Sequence, residues 1–231
     1  MSSETEIVSF LMLIQIIFYF LCSLYFLVLK HKAKEDSARK RIMTIIGFIF
    51  FFIALSKLIH LIVIFLHGSA YFKDILSFEN SFLFKFSQIS LYTGIIGITF
   101  AFERRLEKFE RNYATIVSSI SCIIYFFIEY LYLFNLTDQN LKNIAKIGSY
   151  LFNGIIYIVT FILAFMYLRI ALKTSGDVKR RSLFVFIGYF LLLLSYFVLI
   201  LEEQLVSLAL IAFISFIFGI LGAIFLIFGY K

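Results

Sequence analysis

Residues 48–68 read FIFFFIALSKLIHLIVIFLHG, and this stretch decides the class of structure. Almost every residue in it is apolar, and its length matches the ~20 residues that a helix needs to cross a bilayer. Of the 231 residues in the chain, 62% are hydrophobic and only 15% are charged. Soluble domains have about a quarter of their residues charged. The sequence therefore predicts an integral membrane protein.

Six further apolar segments share this pattern. Their apolar residues come in long runs rather than in alternation, which favours membrane helices over a membrane barrel. We predict an all-α fold in which residues 1–231 form a single seven-transmembrane helix bundle with no soluble domain. The predicted spans are approximately 7–29, 42–66, 82–102, 113–134, 147–172, 182–201 and 205–229.

The distribution of Lys and Arg among the loops predicts the orientation. The first, third and fifth loops carry six, four and five basic residues, and Lys231 follows the last span. The opposite side has only three. Because short cytoplasmic loops carry the excess of Lys and Arg, the amino terminus is predicted outside and the carboxyl terminus in the cytoplasm of a multi-pass cell-membrane protein.

The basic loops also indicate which partners the protein is expected to contact. Five residues in them are predicted to contact anionic lipid or a cytoplasmic partner: Arg104, Arg105, Lys179, Arg180 and Arg181. No loop is long enough to fold into a basic surface of its own, so a nucleic-acid partner is not expected.

Sequence patterns of enzymes are missing. The chain has no HExxH, no GxSxG, no glycine-rich phosphate loop and no CxxC pair. Glu129 is the only carboxylate well inside a predicted span, so a catalytic carboxylate pair is not expected. The last span has no lysine for a retinal Schiff base, and Cys22 and Cys122 are interpreted as packing residues. We therefore expect no enzyme, no metal and no cofactor.

Polar residues within the spans are the remaining candidates for a site. Lys57 and His60 fall on one helix face with Ile64. A lysine at mid-helix costs on the order of 2.5–3.5 kcal/mol to insert, so Lys57 should face the bundle interior or a hydrated cavity. Glu129 lies at a comparable depth in the outer half, and we predict that it is the counter-ion of Lys57.

Other polar side chains in the outer half complete the predicted pocket. They are Gln15 on the first span, Gln88 on the third and Asn153 on the fifth. Lys85 is expected instead to extend to the membrane surface. The alternative is that Lys57 and Glu129 form a structural ion pair and that the amides make only interhelical hydrogen bonds.

Two loop junctions resemble a known group of proteins. They are FAFERRLEKFERNYATIVSSI at 100–120 and YLRIALKTSGDVKRRSLFVFIGYFLLLLSY at 167–196. Both are similar to the seven-helix membrane modules of uncharacterised archaeal proteins, some of which form the sensory part of histidine kinases. The resemblance implies a sensor or receptor-like domain and supplies no binding residues. Since this chain ends at Lys231, its output is expected to pass through a separate cytoplasmic partner.

Three functions are consistent with these observations. The leading interpretation is a membrane sensor or receptor-like protein whose outer pocket binds an unknown small ligand or a proton. The second is a small transporter or channel with Lys57, His60 and Glu129 on an ion path. The third is a structural subunit of a membrane complex. The sequence leaves the ligand, and whether the chain forms a homo-oligomer, open.

Overall fold

The fold is described by a computed structural model over residues 3–32, 37–67, 82–105, 112–134, 139–200 and 208–230. Within these ranges the chain is helical and has no strand, which confirms the predicted all-α class. Seven helices lie in the described residues. They are α1 (Ser3–Lys32), α2 (Ser37–His67), α3 (Phe82–Arg105), α4 (Tyr113–Phe134), α5 (Gln139–Lys173), α6 (Gly176–Ile200) and α7 (Leu208–Tyr230).

Four of the described helices are long and apolar enough to cross a membrane. A helix suits that environment because it satisfies its backbone hydrogen bonds internally. A fifth, α4, contains a shorter apolar stretch from Tyr113 to Glu129. The four long segments are Thr5–Lys30, Lys40–Leu66, Gln139–Lys173 and Ala209–Tyr230.

The helices pack as a ring with one helix outside it. α1 contacts α2, α2 contacts α3, α3 contacts α5, α5 contacts α6, and α6 contacts α7. The ring closes because α7 also packs against α1. α4 packs against α3 and α5, and it contributes no buried side chain to the main core of the described residues. It is therefore the peripheral helix of the bundle.

The direction of α5 relative to α3 follows from two polar contacts. Tyr92 of α3 bonds Asn153 of α5, and Thr99 of α3 lies 3.5 Å from Thr160 of α5. The second contact lies seven residues after the first on both helices, so α3 and α5 run parallel. Two helices of a bundle are expected to run parallel when a single helix between them in sequence leads the chain back in the opposite direction.

α1 and α7 are also parallel. Gln15 of α1 bonds the Ser215 carbonyl of α7, and further along both helices Phe26 meets Tyr230. The first and last described helices therefore begin at the same end of the bundle. We call it the amino-terminal end; α3 and α5 also begin there, and the opposite end is where these four helices finish.

Aromatic residues fill the main core between α1 and α2. The ring of Phe50 stacks on Tyr19 and on Phe26, with ring centroids 5.9 and 5.8 Å apart. All three side chains are fully buried. Stacked rings of this size bury a large apolar area and hold the helix pair at a fixed register.

α5 differs most from its predicted span. The apolar run predicts a start near residue 147, but the helix begins at Gln139. Five of the eight additional residues, QNLKNIAK, are polar, so this segment falls outside the continuous apolar run. Hydropathy locates the apolar part of a helix and not its end, so the extension was missed.

α6 and α7 approach each other closely at two glycines. A Cβ atom on Gly188 would lie 2.8 Å from the Gly222 carbonyl oxygen, and one on Gly222 would lie 2.8 Å from the Gly188 carbonyl oxygen. Small residues permit such close helix packing in membrane proteins. No side chain fits between the two backbones at this point.

We expect Gly222→Ala to lower the free energy of unfolding in detergent micelles by about 1–3 kcal/mol, the usual cost of overpacking. Gly154→Ala on α5 is the matched control, because nothing lies within 4 Å of its Cβ position. The control should leave stability unchanged or raise it slightly, since alanine favours the helix over glycine. Equal effects of the two substitutions would contradict the close approach.

Candidate functional site

Lys57 lies in the interior of the bundle on α2. Its side chain is only 5% exposed, and His60, one turn further on, is within electrostatic reach of it. Ile64, two turns from Lys57, is buried against Met12 of α1. The preceding residue, Ser56, faces α3 instead. Lys57 is thus a buried basic residue inside the bundle.

Ser56 and Ser87 join α2 to α3. The Ser87 hydroxyl donates to the Ser56 carbonyl oxygen at 2.9 Å, and the two hydroxyl oxygens are 3.1 Å apart. Both side chains are buried. This bond fixes which face of α3 is turned toward α2.

Glu129 has partners other than the one predicted. Lys85 Nζ of α3 donates to one carboxylate oxygen at 2.8 Å, and the Ser149 hydroxyl of α5 donates to the other at 2.5 Å. The side chains of Lys85 and Glu129 are 16% and 20% exposed, so the protein does not enclose them fully. The three residues form a network, named here the α4 clamp, that ties the peripheral helix to two helices of the ring.

The predicted Lys57–Glu129 pair is therefore corrected to Lys85–Glu129. Lys85 and Ser87 are two positions apart on α3, which places them about 200° apart around the helix. Ser87 is turned toward α2 and Lys85 toward α4. α3 therefore bonds α2 through one face and α4 through another. Lys85, expected to extend to the surface, is the nearer cation.

Gln15 belongs to a separate cluster between α1, α6 and α7. Its amide donates to the Ser215 carbonyl oxygen at 3.3 Å. Ser195 and Ser215 each donate to the other's carbonyl oxygen, at 2.8 and 2.9 Å. These groups converge on Gly219, where a Cβ atom would overlap the Tyr19 hydroxyl and lie 3.0 Å from the Gln15 amide nitrogen.

Asn153 and Gln88 lie on the α3–α5 side. The Tyr92 hydroxyl donates to Asn153 Oδ1 at 2.6 Å, and the Tyr92 ring packs against Tyr125 of α4. The Gln88 side-chain oxygen is buried and has no hydrogen-bond partner within the described residues. The six predicted pocket residues are thus distributed over several helix contacts.

Glu103 is a functional candidate that sequence reasoning did not assign. Its side chain is 1% exposed at the end of α3, and it accepts bonds from the backbone N–H groups of Ala114 at 2.5 Å and Thr115 at 2.8 Å, and from the Thr115 hydroxyl. These groups are at the first turn of α4, where N–H groups lack partners within the helix. A carboxylate there also complements the helix dipole.

The spacing in the sequence offered a clue to this cap. Glu103 and Thr115 flank a short charged segment between two apolar helices, an arrangement that permits a carboxylate to reach back to the next helix. The backbone between them turns at Asn112, whose φ is 48°. Ser149 and the Ser195–Ser215 pair gave no such clue, because isolated serines in apolar helices are common.

The predicted basic contacts are located in part. Lys179, Arg180 and Arg181 are exposed in the first turns of α6. Arg104 and Arg105 end α3, and their side chains lie outside the described residues. In the part of the chain that the structure describes, no three His, Cys, Asp or Glu side chains are grouped so that they could hold a metal ion.

Comparison with known proteins identifies no relative. The chain matches no protein-family model, no curated protein and no solved structure. The resemblance to archaeal sensor modules therefore stays a prediction.

A double-mutant cycle tests the corrected ion pair. Glu129→Gln combined with Lys85→Gln should show a coupling energy of about 0.5–3 kcal/mol in the free energy of unfolding, as residues in direct contact do. The matched cycle of Glu129→Gln with Lys57→Gln should give a coupling near zero. A larger coupling for Lys57 than for Lys85 would restore the original pairing.

A second pair of substitutions tests the convergence on Gly219. We expect Gly219→Ala to destabilise the protein, since its methyl group overlaps the Tyr19 hydroxyl. Tyr19→Phe removes that oxygen and should recover much of the loss in the double variant, as measured by thermal unfolding. Tyr19→Phe alone should cost little, because the hydroxyl has no hydrogen-bond partner in the described residues. A double variant no more stable than Gly219→Ala would refute the overlap.

Proposed function

We propose that the chain is a seven-helix membrane sensor or receptor-like protein in which all seven helices cross the bilayer. The amino-terminal end of the bundle faces outward and the basic loops face the cytoplasm. A proton or small cation acts at the α4 clamp, and α4 carries the change to a cytoplasmic partner. The supporting observation is that α4 is held by a carboxylate at each end.

The clamp suits detection from outside. Glu129 and Lys85 are partly exposed, and among the described residues one carboxylate oxygen of Glu129 accepts from Lys85 and the other from Ser149. A proton on Glu129 removes its charge, and a small cation competes with Lys85 for it. Either event weakens the attachment of α4 to α3 and α5 at this end.

The helix can transmit that change. α4 has 22 residues, which corresponds to a length of about 33 Å. Its other end is capped by Glu103 of α3, next to Arg104 and Arg105 at the end of the same helix. A small tilt of α4 at the clamp therefore alters the cap and this end of α3. Sensing requires such an element with two arrangements that the stimulus biases.

Spin-label distances test this proposal with protons as the stimulus. Labels on Tyr113→Cys in α4 and Leu172→Cys in α5, with both native cysteines replaced by alanine, report the position of α4 in proteoliposomes. We expect the distance distribution to change between neutral and acidic pH. Glu129→Gln should give the acidic distance distribution at both pH values, because glutamine carries no negative charge at either.

Lys142→Gln is the matched control, because Lys142 lies near the start of α5 on the same end of the bundle. It should retain the wild-type response. A wild-type distribution that does not change with pH, or a pH response that persists in Glu129→Gln, would refute the proposed role of the clamp.

The buried Lys57 supports a second candidate function, a proton or ion path. Lys57 is a buried ionisable group, and His60, one turn further along α2, lies within electrostatic reach of it. Flux into liposomes loaded with a pH-sensitive dye distinguishes the two. A sensor should give no flux above that of empty liposomes, whereas a path through this region should give flux that Lys57→Gln changes.

A further inference from the structure

The hairpin between α5 and α6 forms a compact charged tip, defined here as residues 169–181. α5 ends at Lys173, two residues follow, and α6 begins at Gly176 with a φ of +63°. Glycine adopts this left-handed conformation without strain, which permits the sharp reversal. The turn brings the basic residues of two helices to one place.

The tip is strongly basic and open. It carries five cations and one carboxylate, that of Asp177, and all six side chains are exposed. The cations are Arg169, Lys173, Lys179, Arg180 and Arg181. A net charge of +4 in thirteen residues favours an anionic partner at close range.

Apolar side chains are exposed at the same place. Leu172 is 74% exposed, and Val178 on the other side of the turn is also exposed. Arg169 continues an exposed stripe on α5 that runs through Ile162 and Phe165. An apolar stripe that ends in an arginine is typical of a helix leaving the hydrocarbon at the headgroup level. The tip thus presents both the basic and the apolar side chains that suit the interface between lipid headgroups and hydrocarbon.

Arg180 lies above a surface of phenylalanines. Its guanidinium is 5.4 Å from the centre of the Phe184 ring. Phe184 in turn contacts Phe225 and Phe228 of α7, with ring centroids 5.7 and 6.1 Å apart. Phe228 is 53% exposed, so these rings present an apolar surface between α6 and α7 directly below a cation.

We propose that this tip binds an anionic glycerophospholipid. The headgroup phosphate pairs with Arg180 and its basic neighbours, and one acyl chain lies along Phe184 and Phe228. Arg recognises phosphate oxygens through two parallel N–H bonds, which Lys does not. An acidic protein would match the charges but would leave the aromatic surface uncovered. The inference depends on the membrane location in the proposed function and not on sensing.

Tryptophan fluorescence tests the lipid site. The chain contains no tryptophan, so Phe228→Trp gives a single reporter beside Phe184. The full-length variant is reconstituted in phosphatidylcholine vesicles that contain phosphatidylglycerol, with one or the other lipid brominated on its acyl chains. We expect brominated phosphatidylglycerol to quench more strongly than brominated phosphatidylcholine at the same mole fraction. This comparison does not depend on the orientation of the protein.

Charge variants identify the residues responsible. Arg180→Ala should lower the preference for phosphatidylglycerol about fivefold, the effect of one cation near the surface, and replacement of Lys179, Arg180 and Arg181 together should abolish it. The double variant Lys142→Ala and Lys146→Ala, at the opposite end of α5, should keep the full preference. All the substituted side chains except that of Lys142, which is partly buried, are exposed, so the variants should fold, which thermal unfolding verifies.

A reporter elsewhere separates a site from general attraction. Phe10→Trp on α1 is also exposed but lies at the amino-terminal end, and it should show no preference. Equal quenching of Phe228→Trp by the two lipids would overturn the proposal. So would a preference that survives the triple variant or appears equally at position 10. None of these outcomes bears on whether α4 responds to protons.

Discussion

The closure of the ring between α1 and α7 is the contact on which the rest of the bundle depends. These two helices are the most distant in sequence, and they meet at Gln15 with Ser215, at Tyr19 with Gly219 and at Phe26 with Tyr230. Packing and hydrogen bonds must supply this association, since lipid offers no hydrophobic drive between helices. Gly219 is the critical position, because any larger residue would separate α7 from Tyr19.

Closure of the ring also explains why α4 lies at the periphery of the bundle. With six helices in the ring, α4 can pack only on the outside, where Tyr125 and Cys122 meet α3 and α5. α4 contributes no buried side chain to the main core of the described residues. Glu103 of α3 bonds its first turn, and its own Glu129 bonds Lys85 and Ser149, so polar bonds supplement its apolar contacts. This arrangement is the physical reason for proposing α4 as the helix that moves.

The sequence predicted the fold class well and the site poorly, for different reasons. Helix formation and burial in lipid depend on local runs such as residues 48–68, which can be read directly. The pairing of Glu129 depends on which helices are neighbours, and that is decided by packing between segments far apart in sequence. Depth along the helix places Lys57 and Glu129 at a comparable level but does not show which cation pairs with Glu129. Lys85, only three residues from the start of α3, is expected from sequence to extend to the membrane surface, whereas its Nζ bonds Glu129.

The geometry of α3 then limits how Lys57 and Glu129 can influence each other. Ser87 on one face holds α2, and Lys85 on the opposite face holds α4. A displacement of α4 that releases Lys85 acts on a helix whose other side is bonded to the residue preceding Lys57. Coupling through these bonds, between the part of α2 that carries Lys57 and the α4 clamp, would require a rotation or shift of α3. Since Thr99 of the same helix also meets α5, such a shift would extend along the bundle toward its opposite end.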